Sequence, residues 1–202
     1  MKNFSTNENE LKQVLIPQNR LQERVSELGL QISQDFAGKN LTIVAILKGS
    51  FVFAADLLRA ITVPCSIDFM SISSYGTQTS SGVVRITKDL DESIAARHVL
   101  LVEDIIDTGL TANYLTHALR QRNPASVDIC ALLDKSARRI IDLPIPYRGF
   151  EIPDVFVVGY GMDYQQQYRN LPNISILRLN GCSKPQQHAA NDPDQNDSQK
   201  SP

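Results

Sequence analysis

The residues best suited to chemistry in this chain of 202 residues stand together at 103–111. Glu103 and Asp104 are adjacent and directly follow the apolar run 98–102, which has the composition of a buried strand. Two carboxylates at the end of a buried strand are unfavourable unless a partner meets them. A divalent cation or a polyol that donates hydrogen bonds would serve, and the residues alone leave both open.

The segment Asp-Thr-Gly-Leu-Thr at 107–111 has the composition of a phosphate-binding turn. It combines a glycine, two hydroxyls and backbone N–H groups at the start of a predicted helix, which together suit a phosphate monoester. A simple helix cap formed by Asp107 or Thr108 is the alternative. A cap would account for one of these polar residues but not for the two acids that precede them.

A second candidate anion site is Lys48-Gly49-Ser50, which ends the apolar run 41–47 and precedes a helical pattern. Glycine lets the backbone approach a ligand, and a helix N-terminus presents free N–H groups to an anion. The segment is not a Walker A loop, because Val44 stands where that loop has its first glycine. When this segment is taken alone, an ordinary turn is the better explanation.

The elements that must position these residues alternate between helix and strand. Apolar residues recur at helical spacing from Leu21 to Ile32, and the strands are short apolar runs. This alternation predicts an α/β domain with a mainly parallel sheet, whose ligands bind beyond the carboxyl ends of the strands. The predicted helices span 18–36, 51–61 and 111–122, and the predicted strands span 41–47, 65–72, 83–87, 98–102, 127–133, 155–158 and 174–179.

Composition excludes several classes of protein. Apolar residues make up 42% of the chain and charged residues 21%, as in a globular domain rather than a collagen or a disordered chain. The net charge of −2 argues against a general nucleic-acid binder. We expect neither a secretory signal nor a membrane span. Three scattered cysteines suggest a reducing cytosol, and three histidines without ligand spacing make a zinc site improbable.

The chain is predicted to hold one domain. Residues 1–10 are polar and are expected to form a flexible N-terminus, and 11–182 to form the domain. Residues 183–202 contain no aromatic residue and two alanines as their apolar content, so we predict a disordered tail.

Four motifs, in family order, resemble those of the type I phosphoribosyltransferases, which bind phosphoribosyl pyrophosphate (PRPP). The strongest is Val-Leu-Leu-Val-Glu-Asp-Ile-Ile-Asp-Thr-Gly-Leu-Thr at 99–111, whose double isoleucine is similar to the 6-oxopurine branch. The segment 47–50 resembles the pyrophosphate loop, Ser-Tyr-Gly at 74–76 the mobile lid, and 156–164 with 168–172 the base-binding segment. The resemblance covers about 10–180 and is to the bacterial hypoxanthine (hypoxanthine-guanine) phosphoribosyltransferases. It implies their fold, a mainly parallel central sheet flanked by helices, with a small hood and a mobile lid loop.

The resemblance implies roles for the residues that would bind PRPP. Glu103 and Asp104 would meet the ribose hydroxyls, directly or through Mg²⁺, and Asp107 would also be the general acid/base at purine N7. Asp163 would be a ligand of a second Mg²⁺, so the implied metal ligands are Glu103, Asp104 and Asp163. The peptide entering Lys48 is often cis in this family. The implied PRPP-binding residues are Lys48, Gly49, Ser74, Tyr75, Glu103, Asp104, Asp107, Thr108, Gly109, Leu110, Thr111 and Arg169.

The same resemblance implies a purine site. Lys135 would donate to the exocyclic O6, which favours hypoxanthine or guanine over adenine. Phe156 would stack on the purine, a contact typically worth about 1–3 kcal/mol. Backbone groups near Val157 and Asp163 would meet the rest of the base edge.

The implied activity is a Mg²⁺-dependent transfer from PRPP to hypoxanthine or guanine, giving IMP or GMP and pyrophosphate in cytoplasmic purine salvage. The resemblance implies a homodimer or homotetramer with small-molecule substrates and without nucleic-acid or membrane partners. One alternative is an RNA-binding regulator on the same fold, although a pI of about 5.9 does not favour a basic face. The other is an enzyme that prefers xanthine. Transfer to adenine or orotate fits less well with Lys135 and Phe156.

Overall fold

The computed structural model describes residues 11–75 and 83–178, and these ranges contain nine strands and three α-helices. The first half of the chain forms β1 (Leu11–Ile16), α1 (Gln18–Asp35), β2 (Leu41–Leu47), α2 (Phe51–Ala60), β3 (Cys65–Tyr75) and β4 (Val83–Lys88). The second half forms β5 (His98–Ile106), α3 (Leu110–Arg120), β6 (Ser126–Asp134), β7 (Tyr147–Glu151), β8 (Val157–Val158) and β9 (Ile174–Leu177). A short 3-10 helix, Ser136–Arg138, follows β6.

The main sheet has six strands in the order β4-β3-β2-β5-β6-β7. Strands β3, β2, β5, β6 and β7 run parallel, and β4 pairs antiparallel with β3. The predicted α/β class with a mainly parallel sheet is therefore confirmed. Because the parallel strands share a direction, their carboxyl ends lie along one edge of the sheet.

Both faces of the main sheet are covered by helices, which explains its continuous apolar strands. On β2, Ile43 and Ala45 belong to the core that contains the apolar residues of α1 and α2. Val44 and Ile46 belong to the opposite core, which holds Leu115 of α3. Successive side chains of a strand point to opposite faces, so one short run serves two cores.

The predicted small hood is a second sheet, with the order β1-β9-β8 and antiparallel pairing. The predicted strand 174–179 lies here and ends at Leu177. Strand β1 was not predicted, because its apolar residues do not alternate and Val14 is exposed. Strand β7 was also missed, since it is an edge strand interrupted by Arg148 and Gly149.

Strand β5 is longer than predicted, and this changes the setting of the acidic pair. The prediction ended the strand at 102, but pairing with β6 continues from Glu103 to Ile106. Glu103 and Asp104 therefore lie within β5 itself, where Glu103, Ile105 and Ile106 pair with β6. Their positions are fixed by backbone hydrogen bonds rather than by a loop.

Several predictions fall on residues outside the described ranges: the flexible N-terminus at 1–10, the lid at 76–82 and the tail at 183–202. Within the described ranges, no helix combines the length and the apolar character that a membrane crossing requires. Cys65 and Cys130 are both free thiols in strands.

Candidate active site

The candidate site lies where three neighbouring strands end. Lys48 follows β2, Asp107 follows β5 and Lys135 follows β6, and these strands are adjacent in the sheet. The parallel register therefore brings residues from distant parts of the chain to one edge.

The loop after β2 lies directly against the acidic pair. The peptide bond between Leu47 and Lys48 is cis, and Lys48 is exposed. A Cβ atom added at Gly49 would stand 1.8 Å from Asp104 Oδ2. A side chain at position 49 would thus overlap the carboxylate, so glycine is what allows the loop and the acid to meet.

The segment predicted to bind the base packs against the same loop. Gly161 has a φ of +100°, and a Cβ atom there would stand 2.4 Å from the carbonyl oxygen of Gly49. Arg169 Nη1 donates to the carbonyl of Gly161 at 2.7 Å, and its Nη2 lies 2.6 Å from Asp163 Oδ1. Arg169 and Asp163 are thereby held next to Gly49 and Asp104.

The acidic pair carries strongly perturbed ionisation. Burial raises the pKa of Glu103 well above its ordinary value, and the neighbouring charge of Asp104 raises it further. Burial also raises the pKa of Asp104 to about 6, although two backbone N–H groups and the charge of Arg169 lower it. The charge of Asp163 also raises the pKa of Asp104. The cations of the protein therefore do not balance the negative charge of Glu103 and Asp104. The two carboxylates are suited to receive an added cation or hydroxyl donors.

The residues present provide few ligands for a metal held by protein alone. Among the described residues, no three His, Cys, Asp or Glu side chains converge as in a metal site. Mg²⁺ is commonly bound through one or two carboxylates together with substrate phosphates and waters. The carboxylates of buried Glu103 and half-buried Asp104, whose charges the cations of the protein do not balance, fit that second kind of site.

A small cavity follows the acidic pair along the chain. Its volume is about 150 Å³. The backbone carbonyl of Thr108 accepts hydrogen bonds from Ile140 N at 3.0 Å and Ile141 N at 3.4 Å, which tie the turn to the loop after β6. Leu110 N donates to Thr108 Oγ1 at 3.4 Å, and the Leu110 side chain is exposed. The cavity is lined by Glu103, Ile105, Ile106, Asp107, Thr108, Gly109, Thr111 and Ala112.

Of the residues predicted to bind the purine, Lys135 adjoins this cavity, because it bonds to the lining residue Ile106. Lys135 is buried, with its backbone N–H on the Ile106 carbonyl at 2.9 Å and its Nζ 3.4 Å from Asp154 Oδ1. Phe156 is 40% exposed, and its ring meets that of Tyr164 edge to face at a centroid distance of 5.6 Å. Phe156 precedes β8, and part of its ring is exposed and could contact a ligand. Val157, the next residue, is buried in β8.

Four neighbours of the site had no individual role in the sequence-based prediction. Arg138 and Asp154 lay outside the quoted motifs, and Gly161 and Tyr164 lay within the predicted base-binding segment 156–164. Arg138 Nε lies 2.9 Å from Asp107 Oδ1, and its Nη1 lies 3.2 Å from Asp154 Oδ1. The first contact is an ion pair without hydrogen-bond alignment, since Asp107 Oδ1 has no hydrogen-bond donor in the described part of the chain. The Gly-Tyr-Gly sequence at 159–161 and the Arg-Arg pair that follows Lys135 are the sequence signals that could have indicated two of them.

Lys88 ends β4 and stabilises the fold, since its Nζ donates to the carbonyls of Phe69 and Asp89 and to the Asp91 carboxylate. The backbone of Ser74 and Tyr75 ends β3, but their side chains lie outside the described part, and the lid role stays a prediction.

The fold and the site together define the class of protein. The family model for the phosphoribosyl transferase domain matches residues 14–165, and the chain belongs to the phosphoribosyltransferase family. The family predicted from the motifs is thereby confirmed.

Individual members of this family are similar to the chain over most of its length. The chain is similar to a protein of Haemophilus influenzae named hypoxanthine phosphoribosyltransferase, with 53% identity over 82% of this chain and 95% of the relative. A hypoxanthine-guanine phosphoribosyltransferase of Streptococcus pneumoniae is 47% identical over 85% of this chain and 96% of its own length. The crystal structure of a hypoxanthine-guanine phosphoribosyltransferase of Bacillus anthracis matches with a TM-score of 0.81 and 50% identity, over 84% of this chain and all of that one.

Proposed function

We propose that this chain is a purine salvage transferase, which joins hypoxanthine or guanine to PRPP and releases IMP or GMP with pyrophosphate. The observation that carries the proposal is that four sets of residues meet at the ends of adjacent strands: Lys48-Gly49, the acidic pair, the turn 107–111 and buried Lys135. Relatives near 50% identity bear the names of this activity. The RNA-binding and xanthine alternatives have no comparable support.

PRPP would lie along the ends of β2 and β5. Its 5′-phosphate would lie in the cavity at Thr108, Gly109 and Thr111, where hydroxyls and the start of α3 could supply hydrogen-bond donors. Its pyrophosphate would lie at Lys48, Gly49 and Arg169. The hydroxyls of the ribose, between these two anionic ends, would donate to Glu103 and Asp104.

Mg²⁺ is the proposed cofactor, held by Glu103 and Asp104 together with substrate oxygens, and by Asp163 on the pyrophosphate side. When bound, it supplies the positive charge that stabilises the leaving pyrophosphate. The proposed need for Mg²⁺ follows from charge, because a strongly anionic substrate must approach the carboxylates of Glu103 and Asp104 on a chain of net charge −2.

The purine would bind between Lys135 and Phe156. Lys135, a pure donor, suits the O6 acceptor of hypoxanthine and guanine and leaves the amino group of adenine without a partner. The exposed part of the Phe156 ring offers a stacking surface worth about 1–3 kcal/mol. Backbone groups near Val157 and Asp163 would meet the other edge of the base.

Asp107 would act as the general acid/base. As the bond from the anomeric carbon to the pyrophosphate oxygen breaks, its electron pair leaves with pyrophosphate. The purine nitrogen supplies the pair for the new N-glycosidic bond, and the proton on N7 passes to the Asp107 carboxylate. Positioned proton transfer of this kind typically contributes about 10²–10⁴ in rate.

The remaining assignments are part of the same proposal. We expect a homodimer or homotetramer that acts in the cytoplasm on small-molecule substrates. We also expect residues 11–182 to suffice for the activity.

A steady-state assay of the purified chain with PRPP, Mg²⁺ and a panel of bases tests the acceptor. Hypoxanthine or guanine is expected to give the highest kcat/KM. Adenine is expected to be at least about 10³-fold lower, because its amino group is a donor and offers no acceptor to the Nζ of Lys135. Highest activity with xanthine would replace the acceptor assignment. Equal activity with adenine would contradict the role of Lys135.

A further inference from the structure

A row of alternating charges connects the purine lysine to the proposed acid/base. Asp154 Oδ1 lies 3.4 Å from Lys135 Nζ and 3.2 Å from Arg138 Nη1. The same guanidinium places its Nε 2.9 Å from Asp107 Oδ1. Arg138 therefore bridges two carboxylates from different loops. Asp154 is the one beside Lys135 of the proposed purine site, and Asp107 is the proposed acid/base.

Local structure aims Arg138 at these two acids. It closes the 3-10 helix that begins after Lys135, and its backbone N–H donates to the Lys135 carbonyl at 2.9 Å. The guanidinium is a planar fork with five donors, so one side chain can serve two carboxylates at once. A lysine at this position would have one point charge to share between them.

Resting on the proposed function, we propose that Arg138 is a positioning residue for the transfer reaction, holding the Asp107 carboxylate in the place where it receives the purine proton. Arg138 is the cation within ion-pair distance of Asp107 among the described residues. The contact lacks hydrogen-bond alignment, so it steers the carboxylate without occupying it as a fixed acceptor. An ionised carboxylate keeps further lone pairs for the purine.

The exposure of the pair separates this role from a structural one. The side chains of Arg138 and Asp107 are 46% and 40% exposed, and exposed ion pairs contribute little to folding stability. Loss of Arg138 should therefore appear in turnover and not in melting temperature. We expect about a fivefold effect, the upper range for an ion pair of this exposure.

The test compares Arg138→Gln, Arg138→Lys and a control, Arg122→Gln, in the full chain. Arg122 makes an exposed ion pair with Asp89 at 2.8 Å, at the opposite edge of the sheet. We expect Arg138→Gln to lower kcat about fivefold with KM for PRPP within twofold of the parent. Arg138→Lys should restore at least half of the loss, and Arg122→Gln should match the parent.

Three results would overturn the inference and leave the proposed function standing. They are a parent-like kcat in Arg138→Gln, an equal loss of kcat in Arg138→Lys, and an Arg138→Gln chain in which only the melting temperature falls. A parent chain without transferase activity would overturn the proposed function and this inference with it.

Discussion

Gly49→Ala is expected to disable the PRPP site while leaving the fold nearly intact. The new Cβ would stand 1.8 Å from Asp104 Oδ2, whereas real Cβ atoms stay at least 3.0 Å from such neighbours. The Asp104 carboxylate must therefore move by about 1.2 Å, and displacements near 1 Å in a reacting site cost about 10²-fold. We expect kcat/KM for PRPP to fall about 100-fold in a steady-state assay.

The stability cost of the same change should be small. The carboxylate can rotate away, and an off-rotamer side chain costs about 0.5–1.5 kcal/mol. For a chain of this size that lowers the melting temperature by up to about 5 °C. Gly38→Ala is the matched control. Its φ of +72° makes alanine strained, but nothing lies within 4 Å of the added Cβ, so stability should fall with kinetics unchanged.

A double-mutant cycle isolates the cause. If the loss comes from displacing Asp104, Gly49→Ala should add little to the kinetic defect of Asp104→Ala. A Gly49→Ala chain with kcat/KM within about threefold of the parent would refute the steric reasoning. Full additivity in the cycle would refute the assignment to Asp104.

Four further results are expected. Asp107→Asn should lower kcat at least about 10²-fold with PRPP binding retained, measured by calorimetry, and near-normal turnover would exclude the acid/base role. EDTA should abolish activity and Mg²⁺ restore it, whereas indifference to chelation would remove the metal from the account. Burial raises the pKa of Asp68, but three backbone N–H donors and Lys88 outweigh it and lower the pKa below its ordinary value. The stabilisation that the Asp68 carboxylate provides is therefore present above about pH 4 and lost below it. Asp68→Asn should lower the free energy of unfolding by about 1–3 kcal/mol in urea at neutral pH, and by progressively less as the pH falls. A difference that stays constant at all pH values would contradict this. Deleting residues 183–202 should leave kcat/KM within twofold, since the proposed site residues lie between 48 and 169, and a large loss would contradict the domain assignment.

Much of the fold follows from local patterns. The run 41–47 is apolar at every position except Thr42, which predicts a strand buried on both faces, and the two cores on either side of β2 explain that composition. Helix α1 was predicted within one residue because its apolar stripe is regular. Strands β1 and β7 escaped prediction because an edge strand needs less apolar surface, which removes the signal.

In the candidate site, some residues could be predicted from local sequence, whereas contacts between distant positions could not. Glu103, Asp104 and the turn 107–111 were predicted as site residues from local sequence, since two adjacent acids at the end of an apolar strand are unfavourable without a partner. The close approach of Gly161 to Gly49 joins positions far apart in sequence and has no local pattern. Arg138 was missed for a similar reason, because a surface arginine has the same appearance in sequence whether it meets Asp107 or water.

The central claim, that the three strand ends form one site for PRPP and a 6-oxopurine, is tested most directly by product analysis. The purified chain is incubated with PRPP, hypoxanthine and Mg²⁺, and the products are separated and quantified over time. We predict IMP and pyrophosphate in equal amounts, with PRPP and hypoxanthine consumed to match. Unchanged substrates, or loss of PRPP without IMP, would contradict the account.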